Sequence, residues 1–452
     1  MVHSDAVAEA RRALGRRLAA YRRAAGHTQE AFAPIVRYAR STVANVETGR
    51  QNVPRDFWVR SDHFLGCQGA LLRQYDGLIS LLRQQRLDDA STSPAGGGTS
   101  IELALDRPTN RRHVLDLAVG TVTAATLSPQ VAKGLGRLAA ALTAFTHEPP
   151  MRDGTSLGLL TAAVTRSRRS YQACRYAELL DGLPTLLSAV RYAGQQFTAD
   201  RAAETIQMLS AETYQTSASV LLKFGDPGLA LLAADRSLDQ ARRSGDPIAI
   251  ASSARVLSHA LMAGGHPQRA AEFACSTSDD LRRAGFRSSP ESQAVYGALL
   301  LRAAIATSRY EDRTRTQQLI EEASDTALQL GGDGNLGWTA FGPTNVLVHR
   351  VSTSLTLGDA GRAIDYARQV RAAQLPVAER RAALFIDVAR AYAQWGKYDE
   401  AYRALRSAEE TAPEEVRIRQ PVRELIGDLA TRTPTSLRRQ LQELAQRVGV
   451  VA

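Results

Sequence analysis

Residues 28–50 read TQEAFAPIVRYARSTVANVETGR, and this stretch decides the fold of the N-terminal part of the chain. Thr28 is a good N-cap for a helix whose apolar positions repeat at helical spacing as far as Val36. After a short break, a second helical stretch begins at Arg40 and exposes polar side chains, and Gly49 stops it. The sequence therefore predicts two short helices joined by a tight turn.

Two further helices flank this stretch. Leu14, Leu18 and Tyr21 recur at positions i, i+4 and i+7, which places them on one apolar helical face. Gly26 follows as the residue that ends this helix. Pro54 suits the first turn of a fourth helix, because its missing N–H costs nothing there. We expect a compact group of four helices.

Two short helices with a tight turn, the second exposing Arg, Ser and Asn, form a helix-turn-helix motif, whose second helix enters the DNA major groove. Residues 11–65 resemble the phage-repressor (Cro/C1-type, XRE) family, whose usual pattern TQEeLA…vSrstIsriErG aligns without a gap. The resemblance implies a lambda-repressor-like domain that binds double-stranded DNA. In it, Arg40, Ser41 and Asn45 face base edges, and Glu47 and Arg50 fall where such folds brace the domain and contact phosphate. The DNA-binding residues that it implies are Gln29, Arg37, Arg40, Ser41, Thr42, Asn45 and Arg50.

The sequence departs from the family pattern at three positions. Arg37 replaces the turn glycine, so a positive φ there would carry a steric cost. Ala39 replaces the Ser or Thr that caps the second helix, which loses about 1 kcal/mol of capping. Pro34 lies past the first turn of the first helix, where it removes a backbone hydrogen bond. These departures bear on the groove contacts and leave the predicted fold unchanged.

Positive charge is concentrated near the N-terminus. The chain has a net charge of +10. Residues 11–60 contain eleven arginines against Glu30, Glu47 and Asp56, a local excess of +8. Such a patch fits a phosphate-backbone partner. The alternative is a solvated arginine-rich surface, since the whole chain favours arginine over lysine.

A polar boundary follows the first domain. Residues 70–87 form an amphipathic helical pattern, and residues 88–100 read DDASTSPAGGGTS, a composition typical of flexible coil.

An apolar segment at 114–127 follows two arginines as in a twin-arginine signal. It carries Asp116 and is too short to span a membrane, so we expect a buried helix and a cytoplasmic, nucleoid-associated protein. The predicted divisions are 1–87 for the DNA-binding domain, 88–106 for the linker, 107–164 for a helical junction or cap, and 165–452 for a repeat array.

A repeated spacing indicates stacked helical hairpins beyond the linker. A glycine followed five residues later by an alanine recurs in Gly225 to Ala230, Gly265 to Ala270, Gly358 to Ala363 and Gly396 to Ala401. The wide central gap leaves room for a degenerate hairpin near residues 308–310. The last unit, from Phe385 to Pro413, resembles a tetratricopeptide (TPR) repeat. The expected fold is all-α, a helix-turn-helix domain followed by a TPR-like α-solenoid.

The TPR frame places the first helix of each hairpin along a concave groove. It also turns Ser219, Ser252 and Ser352 toward that groove. A glycine-rich loop at 331–342 carries two aromatic residues that form either a ligand lid or a plug over the core. The candidate ligand-binding residues are Gln215, Arg255, His259, Arg302, Trp338, Phe341, Asn345, His349 and Arg390. Arginine grips carboxylates and asparagine pairs with peptide backbone, so an extended or anionic ligand is expected.

No motif predicts catalysis or a metal site. The chain lacks GxSxG, HExxH and Walker sequences in a strand context, and its histidines are scattered. Cys67, Cys174 and Cys275 lie far apart, which favours buried thiols over a zinc site or disulfides. We therefore expect no enzyme activity, no cofactor and no bound metal.

Two functions remain open from the sequence. The first is a DNA-binding transcriptional regulator whose array senses a small molecule, a peptide or a protein partner. Its array would also join two copies, because helix-turn-helix regulators usually bind paired half-sites as homodimers. The second is a TPR scaffold for protein partners that a non-regulatory helix-turn-helix tethers to the chromosome.

Overall fold

The computed structural model describes residues 2–92, 127–144, 156–197, 200–285, 289–433 and 435–450. Every regular element in those ranges is helical, and they contain no strand. None of their helices is both long and apolar enough to cross a lipid bilayer. The prediction of an all-α fold is confirmed.

Five helices build the N-terminal domain. They are α1 (Val2–Ala24), α2 (Gln29–Val36), α3 (Arg40–Glu47), α4 (Arg55–Phe64) and α5 (Ala70–Thr92). Leu18, Phe32, Val43 and Phe57 are fully buried at the centre of this group. Burial of these side chains, each worth about 1.5–3 kcal/mol, holds the short helices together.

Two boundaries differ from the sequence expectation. Pro54 caps α4 rather than occupying its first turn. Helix α5 continues to Thr92, beyond the boundary expected after residue 87. Residues 93–126, which hold the rest of the predicted linker and nearly all of the predicted helix at 114–127, lie outside the described part of the chain.

Two of the three departures from the family pattern, Arg37 and Ala39, have a visible structural consequence. Arg37 ends α2 in the left-handed region with φ 62° and ψ 41°, which for a residue with a Cβ is costly. Pro34 lies inside α2. Ala39 is the N-cap residue of α3 and has no side-chain cap. Helix α3 therefore begins without the usual local stabilisation.

The remainder is a TPR-like α-solenoid of stacked antiparallel hairpins. Its helices are α6 (Pro129–Thr143), α7 (Leu157–Gln172), α8 (Tyr176–Gln196), α9 (Asp200–Lys223), α10 (Pro227–Ser244), α11 (Pro247–Ala263), α12 (Pro267–Arg283), α13 (Pro290–Arg309), α14 (Arg313–Leu330), α15 (Pro343–Thr356), α16 (Ala360–Ala367), α17 (Ala378–Gln394), α18 (Tyr398–Thr411), α19 (Pro413–Ile418), α20 (Gln420–Arg432) and α21 (Thr435–Arg447). The first helices of successive hairpins pack side by side.

The glycine-alanine spacing marks the hairpin turns. Gly225, Gly265, Gly358 and Gly396 all have positive φ in the turns between paired helices. The alanine five residues later is fully buried in each case, so it lets the two helices approach closely. The degenerate hairpin expected near residues 308–310 is α13 with α14. There, Glu311 adopts φ 64° in place of a glycine.

The array curls until α8 and α9, near its N-terminal end, meet α17 and α19, near its C-terminal end. The hydroxyl of Tyr176, at the start of α8, donates a hydrogen bond to the carboxylate of Glu415 in α19. Lys223 Nζ lies 2.5 Å from Glu379 Oε1 and 2.6 Å from Glu415 Oε1. This buried network joins three regions of the array and encloses the space along their first helices.

Candidate functional site

Helix α3 lies at the surface of the N-terminal domain but faces the array. Arg40 is exposed, whereas Ser41 and Asn45 are half-buried. Thr42 has an exposed fraction of 0%. Val43 and Val46 point into the domain core, as the sequence predicted. The side chains assigned to base reading therefore lie outside the core of their own domain and opposite another part of the chain.

Asp359 fixes α3 against the array. Its Oδ1 accepts a hydrogen bond of 2.7 Å from Thr42 Oγ1, and its Oδ2 accepts one of 3.1 Å from the backbone N–H of Ala39. The same carboxylate also caps α16 by accepting from the Arg362 N–H at 3.0 Å. It is 1% exposed. One carboxylate thus lies at the N-termini of two helices, where helix dipoles favour negative charge.

Two glycines of the array allow this close approach. A Cβ at Gly361 would lie 2.3 Å from Ser41 Oγ and 3.0 Å from Thr42 Oγ1. A Cβ at Gly358 would lie 2.5 Å from Pro54 Cδ. The distances of 2.3 Å and 2.5 Å are too short for real atoms, so larger side chains at these positions would separate the domain from the array.

Further polar contacts surround the Asp359 contact. The Tyr38 hydroxyl donates to the Leu357 carbonyl at 3.2 Å, and Gln51 Nε2 donates to the Gly358 carbonyl at 2.7 Å. The Arg313 guanidinium lies 4.0 Å from the centre of the Tyr38 ring. We call these contacts, together with those of Asp359, the docking interface.

Outside the docking interface, the outer side of α3 borders a cleft of about 650 Å³. Its walls are Arg40, Ser41, Ala44, Asn45 and Arg50 on one side and Trp395, Gly396, Lys397 and Tyr398 on the other. Arg37 also turns toward the array, where its Nη1 lies 3.4 Å from Thr314 Oγ1. In this arrangement the array lies opposite the outer side of α3.

Gln29 and Glu47 form part of a buried network within the domain. Glu47 is paired with Arg22 at 2.5 Å, and Gln29 Nε2 donates to Glu47 Oε2 at 2.7 Å. Glu47 thus has the bracing role that the resemblance implies. The Gln29 amide, for which the resemblance implies a phosphate contact, is engaged with a carboxylate instead.

A second candidate site is a cavity of about 260 Å³ inside the array. Eight of the nine predicted ligand residues line it, namely Gln215, Arg255, His259, Arg302, Trp338, Asn345, His349 and Arg390. Ser219 and Ser352 also line it, whereas Ser252 does not. The projection of first helices onto a concave face therefore places nearly all these side chains in one space.

Phe341 is the exception, and its assignment as a ligand contact was wrong. It is 1% exposed and packs in the core over Gly297, where a Cβ would lie 2.0 Å from the ring. It is therefore the plug rather than the lid. Trp338 reaches the cavity instead, with the Arg168 guanidinium 5.1 Å from its ring centre.

Most charged groups of the cavity have partners. Arg168 pairs with Glu212 at 2.8 Å, and Arg390 pairs with Asp387 at 3.3 Å. Glu379 accepts from both Lys223 and Arg380, and these cations hold the pKa of its carboxyl well below the usual range. Within the described chain, the guanidinium groups of Arg255 and Arg302 have no carboxylate partner, and each has a buried Nε without an acceptor.

This unpaired charge changes the local acid-base chemistry. Burial, together with neighbouring cations that include Arg255, lowers the pKa of Arg302 to about 9. Burial and the Arg380 charge lower the pKa of His349 to about 3. Burial likewise lowers the pKa of His259 well below its usual value. Both histidines are therefore neutral at pH 7, and arginines supply the positive charge.

Sequence analysis missed several cavity residues. Arg168 and Gln172 lie in α7, which spans the predicted start of the array at residue 165. Glu379 and Arg380 lie at the start of α17, before the recognised TPR pattern begins at Phe385. Arg419 follows α19, a short helix with no repeat signature. Arg168, Gln172, Glu379 and Arg380 lie on the continuation of the concave face toward the two ends of the array, so the repeat frame could have predicted them.

The described residues contain no cluster of His, Cys, Asp and Glu side chains that could hold a metal ion. Cys67 and Cys174 are buried and Cys275 is half-buried, and all three are free thiols. Burial raises the pKa of Cys174 to about 12, so this thiol is unreactive at neutral pH.

Comparison with known proteins supports the N-terminal assignment. A family model described as a helix-turn-helix domain matches residues 13–74. A search of the curated proteins finds no match to this sequence. Among solved structures, the chain is similar to the crystal structure of the yeast Tom70, with a TM-score of 0.32 and 10% identity over 91% of this chain and 84% of that chain. The chain thus carries an N-terminal helix-turn-helix domain, a fold that indicates DNA binding, in front of its helical repeats.

Proposed function

We propose that this protein is a sequence-specific DNA-binding transcriptional regulator whose helical array controls access of α3 to DNA. In the proposal, Arg40, Ser41 and Asn45 read bases while the flanking arginines bind phosphates. An effector in the array cavity shifts the position of the domain relative to the array. Two copies bind paired half-sites, as helix-turn-helix proteins commonly do.

The docking interface is the observation that carries this proposal. A recognition helix can enter the major groove only when its outer side is uncovered. Here Asp359 and the turn from Trp395 to Tyr398 stand on that side. The Asp359 carboxylate also occupies the N-terminal end of α3, a position at which helices commonly hold phosphate. The docked arrangement and DNA binding are therefore mutually exclusive.

The docking interface is weak enough to be reversible. Its hydrogen bonds contribute about 0.5–1.5 kcal/mol each, and those to the charged Asp359 about 1.5–3 kcal/mol. Docking is opposed by the conformational entropy that is lost when the N-terminal domain is fixed against the array. It is also opposed by the DNA contacts that the docked domain cannot make. A ligand whose binding free energy is about 5.5 kcal/mol more favourable for one arrangement than for the other would convert the population almost completely.

The first experiment tests base reading. The full-length chain selects preferred duplexes from a random pool, and their affinities are then measured by gel shift for wild type, Arg40→Ala and Asn45→Ala. Each variant should lose about 1–3 kcal/mol of discrimination between the selected and a scrambled duplex, because a base contact is removed. Arg166→Ala, an exposed arginine in the array, is the matched control. If both α3 variants keep the wild-type ratio, base reading by α3 is wrong.

The second experiment tests control by the array. Asp359→Asn keeps an oxygen that caps α16 but removes the charge that holds Ala39 and Thr42, so affinity for the selected duplex should rise about tenfold. Asp365→Asn is the matched control, because it removes the same charge from an exposed position on the same helix. Equal affinities for the two variants would contradict control through the docking interface.

A further inference from the structure

We infer that the array cavity binds a small organic anion, with a carboxylate or phosphate group held between Arg255 and Arg302 and a hydroxyl or amide group held by Asn345. This inference deepens the effector step of the proposed function and is tested without DNA. It rests on charge pairing, on unsatisfied polar atoms and on the size of the cavity.

The cavity carries a marked excess of positive charge. Its lining contains eight cationic side chains, namely Arg168, Lys223, Arg255, Arg302, Arg309, Arg380, Arg390 and Arg419, and two acidic ones, Glu379 and Asp387. Glu212 and Glu415 pair with lining cations from behind. Glu212, Glu379, Asp387 and Glu415 thus form ion pairs with five of the eight cations, namely Arg168, Lys223, Arg380, Arg390 and Arg419. They leave the cations of the central first helices uncompensated.

Arg255 and Arg302 form the centre of this excess. They extend from α11 and α13, the first helices of adjacent hairpins. The Nε–H group of each is buried and donates to no atom of the described chain. Both side chains are half-buried, the Arg255 charge acts on Arg302, and a desolvated Nε–H group without an acceptor is costly. An oxyanion accepting from both would satisfy the donors and neutralise the repulsion, since guanidinium and oxyanion geometries match.

Asn345 supplies a second, uncharged recognition element. It is 2% exposed, lines the same cavity, and its carboxamide oxygen has no hydrogen-bond partner. Its backbone carbonyl accepts from the ring of His349 at 2.8 Å, which fixes the helix turn that carries it. A hydroxyl or amide group of a ligand could donate the hydrogen bond that this carboxamide oxygen lacks.

The volume limits the ligand. The cavity has a volume of about 260 Å³. This is below the usual range for drug-sized ligands, so the cavity fits a compact molecule and not an extended peptide. Trp338 restricts one side of it, because Gln172 Nε2 donates to the Trp338 carbonyl at 3.2 Å and holds the loop against α7.

Isothermal titration calorimetry of the full-length chain tests the inference. The probes are inorganic phosphate, succinate and malate at constant ionic strength, with glycerol as the uncharged control. Saturable binding is expected for at least one anion and not for glycerol. Malate carries a hydroxyl group that succinate lacks, so tighter binding of malate would indicate a contact with Asn345. The titration with inorganic phosphate shows whether the site prefers a phosphate or a carboxylate group.

A double variant with a matched control locates the site. Arg255→Gln with Arg302→Gln should weaken anion binding at least tenfold. Arg166→Gln with Arg269→Gln removes the same charge from exposed positions and should bind as the wild type does. Without anion, the cavity variant should unfold at the same or a higher denaturant concentration than the wild type, because two uncompensated charges are gone.

Three results would overturn the inference. They are the absence of saturable binding for all three anions at millimolar concentrations, wild-type affinity in the cavity variant, and loss of stability in that variant, which would make the arginines structural. None of these bears on the gel-shift outcomes for Arg40, Asn45 and Asp359, so the proposed function fails or stands separately.

Discussion

At the scale of single residues, Glu47 shows what a buried charge does in a small domain. It is almost completely buried, pairs with the equally buried Arg22, and also accepts from Gln29. Because α1, α2 and α3 meet at this carboxylate, it holds the helix-turn-helix geometry as well as its stability. Removing one partner of such a pair leaves the other as an uncompensated charge in the interior.

Replacing Glu47 by alanine should lower the free energy of unfolding of the N-terminal domain by about 3–5 kcal/mol. Native-state amide hydrogen exchange in the N-terminal domain at increasing urea concentration measures the change. Glu9→Ala is the control, because Glu9 also pairs with arginines but its side chain is 55% exposed, and exposed pairs contribute little. Equal effects of the two substitutions would show that the Arg22 pair is not needed for stability.

His349 makes stability depend on pH. Its folded-state pKa of about 3 lies below the value of about 6.5 for an unfolded chain. Between these values the unfolded chain binds a proton that the folded chain does not, so stability falls as pH decreases from 7 to 5. Burial is the main cause of the lowered pKa, the charges of Arg380 and Arg302 lower it further, and the Asn345 carbonyl and the Glu379 charge oppose them. His349 alone contributes about 2 kcal/mol of this loss at pH 5.

The measurement compares urea unfolding at pH 7 and pH 5 for wild type and His349→Asn. The asparagine keeps a donor for the Asn345 carbonyl but does not titrate, so the variant should lose less stability on acidification. His63→Asn, at an exposed position, should leave the pH dependence unchanged. If His349→Asn loses as much stability between pH 7 and pH 5 as the wild type does, His349 is not the source of the pH dependence.

At the scale of elements, α3 and α16 pack through a glycine. Gly361→Leu should separate the two helices, because even a Cβ there would meet Ser41, Thr42 and Trp395. Helix propensity favours leucine over glycine by nearly 1 kcal/mol, so α16 itself should remain folded. We expect higher affinity for the selected duplex and faster amide hydrogen exchange in α3.

Gly182→Leu is the matched control for this prediction. Gly182 lies inside α8, and a Cβ there would meet nothing within 4 Å. It should improve helix propensity without changing affinity or exchange in α3. If Gly361→Leu behaves in the same way as the control, the docking interface does not limit DNA binding.

The helices and their turns were predictable because the signals are local. Thr28 accepts from the Ala31 N–H at 3.1 Å, as its position as an N-cap predicted, and the turn glycines adopt positive φ. The docking interface was not predictable, because Asp359 lies 320 residues from Ala39. The missing cap at Ala39 was visible in the sequence, but a single chain gives no indication of which distant carboxylate replaces it.

The cavity was predictable where the repeat frame was clear. Arg255 and Asn345 occupy first helices of hairpins with a turn glycine, and Arg302 occupies the first helix of the degenerate hairpin between them, so the repeat frame predicted their direction. Pairing of charges was not predictable, since it depends on how far the array curls. That curl brings Glu415 to Lys223 and leaves Arg255 and Arg302 without acids.

At the scale of the whole molecule, one helix connects the two candidate sites. Helix α15 carries Asn345 and His349 on the cavity at its N-terminal part. It ends immediately before Leu357, Gly358 and Asp359, which make the docking interface. With 14 residues, it spans about 20 Å. A rigid helix of this length transmits a displacement at one end to the other.

We therefore expect anion binding and DNA binding to be coupled. An anion that displaces α15 also displaces Leu357, Gly358 and Asp359 from their partners in the N-terminal domain, which weakens the docking interface and raises DNA affinity. A coupling of about 1–3 kcal/mol corresponds to a change of about 5- to 150-fold. Linkage requires that DNA raise the affinity for the anion by the same factor.

Both affinities are measurable on the full-length chain with whichever probe anion binds in the calorimeter. Gel shifts with and without that anion, at ionic strength balanced with chloride, give one factor. Titration of the anion with and without the selected duplex gives the other, and the two should agree. In the Arg255→Gln, Arg302→Gln variant both factors should fall to one. Saturable anion binding that leaves DNA affinity unchanged would mean that α15 does not couple the sites, because a ligand with equal affinity for both arrangements shifts neither.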